Sequence, residues 1–191
     1  MQQLERGARA VSRVLVWAGG AVLLLMSVLV TLDVLTRELF AVAYFESFEI
    51  TGYAFAIAVA AAYAYALLTR AHIRVDALYA RLPRAVRPLC DVASYLALTT
   101  LAGLLAYHGW DTVWQSARLG ATSSSALAVP LVLPQSLWAA GLTWFLLVAL
   151  LLLLRGAGLL LRGRTAEAER LIGIAQEAND ARQPADVSRP D

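Results

Sequence analysis

Residues 131–154, LVLPQSLWAAGLTWFLLVALLLLL, run without a charged side chain and decide the fold class. A helix needs about 20 apolar residues to cross roughly 30 Å of hydrocarbon. Three further stretches have that character, at 14–36, 50–69 and 92–114. The chain has 191 residues, of which 60% are hydrophobic, and its mean hydropathy is +0.63. The expectation is an all-α integral membrane protein of four transmembrane helices, with no room for a second folded domain. The first stretch has the basic start of a signal peptide. It is too long for one and lacks a small-x-small cleavage site with a polar flank, so it reads as a retained span.

The arginines give an orientation. Arg6, Arg9 and Arg13 precede the first span, Arg70, Arg74, Arg81, Arg84 and Arg87 follow the second, and Arg155, Arg162, Arg164 and Arg170 follow the fourth. The other two loops hold one each, Arg37 and Arg118. By the positive-inside rule, both termini and the middle loop are expected in the cytoplasm, and loops 37–49 and 115–136 outside. The organisation read this way is a basic cytoplasmic N-terminus at 1–13, a transmembrane domain over 14–161 and a cytoplasmic tail over 162–191. Within the tail, 165–178 could continue as a polar helix, and 179–191, rich in Asp, Arg, Pro and Ala, is expected to be disordered.

Net charge is +2 and no lysine is present. The arginines flank spans, so they read as topology signals and contacts to anionic phospholipids, not as a nucleic-acid surface. A single cysteine, Cys90, leaves no internal disulfide to form. Trp17, Tyr63 and Tyr65 fall at inner span ends, and Tyr107, Trp110, Trp114 and Trp138 at outer ends, the depths that interfacial aromatics favour. Trp144 falls deeper, against protein or lipid.

The second span is the least greasy. Ala54, Ala58, Ala62 and Ala66 repeat every four residues, and Gly52, Ala56, Ala60 and Ala64 form a second row. Small residues let helices approach closely where lipid supplies no hydrophobic drive, so this span is expected to be surrounded by helices. The fourth, with Leu150 to Leu154, reads as lipid-facing over much of its surface. In the middle loop, 70–91, Ile73, Leu78, Leu82, Val86 and Leu89 alternate with Arg74, Arg81, Arg84 and Arg87. That pattern predicts an amphipathic helical segment at the interface, divided at Leu82-Pro83, with guanidinium groups at lipid phosphates. Loop 118–136, with Gly120, serines at 123–125, Pro130 and Pro134, reads as irregular chain leading into the fourth span.

Charges in or near spans are the candidates for function, because lipid penalises them. Asp33 and Arg37 lie one turn apart near the outer end of span one and can pair. Glu46 and Glu49 open span two, and Arg37 could instead meet Glu49. The favoured reading is a clamp between helices or subunits; the other is a proton or cation site. His108 and Asp111, three apart near the outer end of span three, read as an interfacial hydrogen bond or partner contact, with a proton relay as the alternative. Only His72 and His108 are present, on opposite sides of the expected topology. That arrangement does not suit haem between facing histidines or a multi-ligand zinc site. No nucleophile–base pair or phosphate loop is evident, so the chain does not read as an enzyme.

Ala71-His72-Ile73-Arg74-Val75-Asp76-Ala77-Leu78, followed by Arg81-Leu82-Pro83, resembles the H-I-x-V-D signature of the DctQ-like small membrane subunit of tripartite ATP-independent periplasmic (TRAP) transporters. Arg37, Phe48-Glu49-Ile50-Thr51, and Gly120-Ala121-Thr122-Ser123 with Pro130 and Pro134 resemble other features of that family, in its order and frame. The resemblance covers about residues 14–160. One departure is Gly52, where many members carry a second acid.

The resemblance implies a partner set: a large permease subunit that holds the substrate and sodium sites and moves as an elevator, and a periplasmic substrate-binding protein that docks transiently. It implies that this chain is a fixed scaffold in the bacterial inner membrane, for sodium-driven uptake of an organic acid or related solute, with no cofactor of its own. His72 and Asp76 would hydrogen-bond locally to fix the cytoplasmic loop. Two alternatives stay open on the residues alone: a self-sufficient four-helix proton-coupled transporter, and a membrane anchor or assembly subunit unrelated to transport.

Overall fold

In the computed structural model, residues 2–40, 47–69, 86–125, 127–164 and 167 are described. They form four helices: α1 Gln2–Phe40, α2 Ser47–Leu68, α3 Arg87–Leu119 and α4 Val132–Leu161. All four are long and apolar enough to cross a membrane. Strand-like pairing among the described residues is limited to one bridge, Thr122 with Pro130. The expected all-helical, four-span class is what the chain adopts.

The helices overrun the expected spans. At about 1.5 Å per residue, the 39 residues of α1 reach far beyond a bilayer, while the 22 of α2 just match it. α1 begins at Gln2, so residues 2–13 are continuous with the helix of the first span. α3 likewise begins at Arg87 and takes residues 87–91 from the expected interfacial segment, with Pro88 in its first turn. Proline suits that position, where its missing N–H has no helical partner to lose. α3 ends at Gly120, in the left-handed region at φ 58°, a conformation glycine adopts without a Cβ clash. His72, Asp76, Arg74, Arg81 and Arg84 lie outside the described residues.

The helices alternate in direction, and α2 lies between α1 and α4. Gly19 of α1 meets Ala58, and a Cβ on that glycine would stand 3.2 Å from the Ala58 Cβ. On the other side of α2, a Cβ on Gly141 of α4 would stand 3.0 Å from the Ala60 Cβ and 3.1 Å from backbone atoms of Ala60 and Ala61. Both alanine rows of α2 are therefore used, one toward each neighbour. Ala58, Ala60 and Ala64 are buried, Ala54, Ala62 and Ala66 are half-buried, and Gly52 and Ala56 are exposed. α3 packs along α4 through Gly109, whose Cβ would meet Ala139, Leu142 and Trp138 at 3.5 Å.

α4 leaves one face open, as expected, yet it is the most buried of the four helices. Its most apolar window is 44% buried, against 28% for α2, 22% for α3 and 0% for α1. Ala139, Leu142, Phe145, Val148, Ala149, Leu152 and Gly156 form its buried face, at helical spacing. Leu147, Leu150 and Leu154 occupy the exposed one. Both faces are apolar, so periodicity could not separate them. The core lies mainly between α2, α3 and α4, where Leu67, Leu68, Tyr95, Ala102, Phe145, Val148 and Leu152 meet; Ala8 of α1 joins them.

Candidate functional site

At the end of the bundle remote from the termini, α1 and α2 meet through a polar group. Asp33 is 2% exposed. Its Oδ2 accepts from Arg37 Nη2 at 3.0 Å and from the Ser47 hydroxyl at 2.6 Å. The Arg37 side chain is 58% exposed, so the carboxylate is sheltered while the guanidinium reaches out along the helix. Helical geometry explains the first bond, since positions four apart share a face. The bond between helices comes from Ser47, which sequence reasoning passed over. A hydroxyl residue opening a helix beside an acidic segment was the available signal.

Glu49 does not meet Arg37. It accepts from the Tyr53 hydroxyl one turn further along α2 at 2.5 Å, and Ser125 and Ser123 lie close to it. The loop between α3 and α4 thus folds over the start of α2. That loop is ordered by its own bonds: Ser123 N–H to Val129 O at 2.9 Å and Leu131 N–H to Ala121 O at 3.0 Å. Gly52 has open space where a side chain would stand.

At the termini end, Glu5 joins Arg155 of α4 and Arg9 at 3.0 Å. The Ser12 hydroxyl, fully buried, accepts from the Trp144 indole N–H at 3.0 Å. Sequence reading missed Glu5, counted Arg155 only as an orientation signal, and placed Trp144 by depth without a partner. Asp91, 2% exposed, is a further buried acid that it missed.

His108 and Asp111 are both exposed and partner other side chains. Asp111 accepts from the Gln115 amide at 2.8 Å, and His108 stacks edge-on with Tyr107 at 5.2 Å. Helix contacts set their level within the bundle. Gly141 rests on Ala60 and Gly109 on Ala139 and Leu142, which puts Gly109 near the middle of α2 rather than near an end. Trp110 is held by the bundle as well, donating to Thr143 of α4 at 2.9 Å.

This arrangement can join helices and present charge at the bundle's surface. Among the described residues no group of three or more metal-ligating side chains comes together. No curated protein and no solved structure matches the chain. The family model for the DctQ component of tripartite ATP-independent periplasmic transporters matches residues 26–158, more than half of the sequence, and the chain belongs to that family.

Proposed function

We propose that this chain is the stationary scaffold of a TRAP transporter, bracing the large permease subunit during sodium-gradient-driven uptake of an organic acid or related solute. Membership of the family makes it a small membrane component of a transporter and not an enzyme. The observation that supports a scaffold is how the polar groups of the bundle are used. Asp33, Ser47 and Arg37 fasten α1 to α2, and Glu5 and Arg155 fasten α1 to α4. A transport site needs polar groups free to exchange ligands at a broken helix or a cavity, whereas α1 to α4 are continuous.

In this reading the chain sits in the inner membrane with both termini in the cytoplasm. Arg74, Arg81, Arg84 and Arg87 lie at anionic headgroups, and His72 and Asp76 fix the loop that carries them. Sodium and substrate bind the large subunit, and the periplasmic binding protein docks on the far side. Reconstitution tests this. Vesicles holding both membrane subunits should take up solute in the presence of binding protein and a sodium gradient. Vesicles with this chain alone should take up none, and flux through the chain alone sinks the proposal. Accessibility of Cys90 to impermeant thiol reagents, only from the cytoplasmic side, checks the orientation.

The level of Asp111 favours one competing reading, a proton-coupled transporter. That class needs a carboxylate well inside a span, and Asp111 is level with the middle of α2. It lies on the outer face of α3, however, and not between helices. Asp111→Asn should leave proton leak through the reconstituted chain unchanged.

A further inference from the structure

We infer that the exposed face of α3 around Asp111 is the seat of a transmembrane helix of the large permease subunit, which brings a basic side chain to that carboxylate. The inference rests on the scaffold reading and names the surface that reading leaves open.

Three observations meet there. The first is depth. α2 is the helix whose length matches the hydrocarbon, and Asp111 is two residues from Gly109, which the α3–α4 and α4–α2 contacts place level with the middle of α2. The second is polarity on an outward face. His108, Asp111 and Gln115 recur at helical spacing and are exposed, so they form one stripe. The Gln115 amide that Asp111 accepts from is neutral, and among the described residues Asp111 takes no ion pair. A lipid-facing ionised side chain at such depth is strongly penalised, and such groups face protein or water. The third is shape. Beside the stripe runs an open groove between α3 and α4, where Gly103, Ala106 and Thr143 lie among the larger Tyr107, Trp110 and Trp114 next to Asp111. The small residues allow close approach of a helix backbone, and the aromatic rings offer it apolar contact area.

Charge selects the occupant. A carboxylate in a dry interface calls for a cation, so the seated helix carries Lys or Arg at this level. A lipid headgroup would have to leave the interface to reach it. α1 is the competing surface, since none of its apolar window is buried. Its exposed side chains there, such as Leu24, Leu25, Val28 and Leu32, are satisfied by acyl chains and require no protein.

The test uses the two membrane subunits expressed together. A photo-crosslinking amino acid is placed at His108 or Gln115, and at Leu24 as the comparison. Adducts with the large subunit are expected from the α3 positions and not from Leu24. Asp111→Lys should lower recovery of the large subunit by roughly tenfold or more, because like charges then face each other. It should leave thermal unfolding of the isolated chain unchanged, since Asp111 supports no contact between helices of this bundle. Adducts from Leu24 alone, adducts between two copies of this chain, or lipid adducts alone at α3 would overturn the assignment. Failure of the unmodified chain to co-purify with the large subunit would overturn the scaffold reading itself, and this inference with it.

Discussion

α1 and α4 pack on opposite sides of the same helix, and different forces hold them there. α4 meets α2 through a glycine on an alanine backbone and through Phe145, Val148 and Leu152, all nearly inaccessible. α1 meets α2 at Gly19 and through Asp33 with Ser47, and near the termini Glu5 links it to Arg155 of α4. A Leu-rich helix is thus central, and a Val/Leu-rich helix is peripheral. In lipid, apolar surface gains nothing by leaving acyl chains for protein, so position follows from fit and hydrogen bonding. Greasiness alone does not rank helices by burial.

The contrast can be broken from either side. The largest effect is expected at Gly141→Leu, whose side chain has no room beside the Ala60 backbone at 3.1 Å. Overpacking of a tight contact costs about 1–3 kcal/mol and can exceed that when backbone must move. Thermal unfolding in detergent should show a clear loss. Gly19→Leu should cost less, because its nearest neighbours are the Ala58 Cβ and Cα on a helix with one open side.

Next comes Asp33→Ala, which removes the acceptor of both Arg37 and Ser47. Hydrogen bonds to a charged group contribute about 1.5–3 kcal/mol, and the exposed end of Arg37 places this case toward the lower figure. Loss of α1 contact should appear as faster proteolysis between α1 and α2, and Ser47→Ala should reproduce part of it. Trp144→Phe keeps the ring and deletes only the donor to Ser12. Bonds between membrane helices of this kind average about 0.6 kcal/mol, so the shift in unfolding should be small. An effect as large as that of Asp33→Ala would show that the termini end, not the far end, holds α1.

The parts of this molecule that depend on hydropathy were open to reading. Four spans follow from apolar length, and family membership was visible in short motifs spread across the chain. Register was not. Asp111 looked peripheral because span ends were judged from hydropathy along 92–114, whereas its level is set by which residues of α3, α4 and α2 touch. Burial of α4 was hidden because leucine occupies its inner and outer faces alike. The clamp at Asp33 was half legible: pairing with Arg37 follows from a four-residue step, but Ser47 required knowing how the chain returns. Glu49 found serines from a loop more than seventy residues away, a proximity no local spacing encodes. The expectations for His72 and Asp76 fall on residues outside those described.

The seam between Gly141 and Ala60 also orders events during synthesis. Every α1–α2 contact described, from Gly19 with Ala58 to Asp33 with Ser47, is complete once residue 68 has left the ribosome. α3 and α4 form a second antiparallel pair by the same local logic. The protein is two helical hairpins, each able to close as it is made. The glycine–alanine seam, with the Ser12–Trp144 and Glu5–Arg155 links that Trp144 and Arg155 complete only late, is the last joint to form.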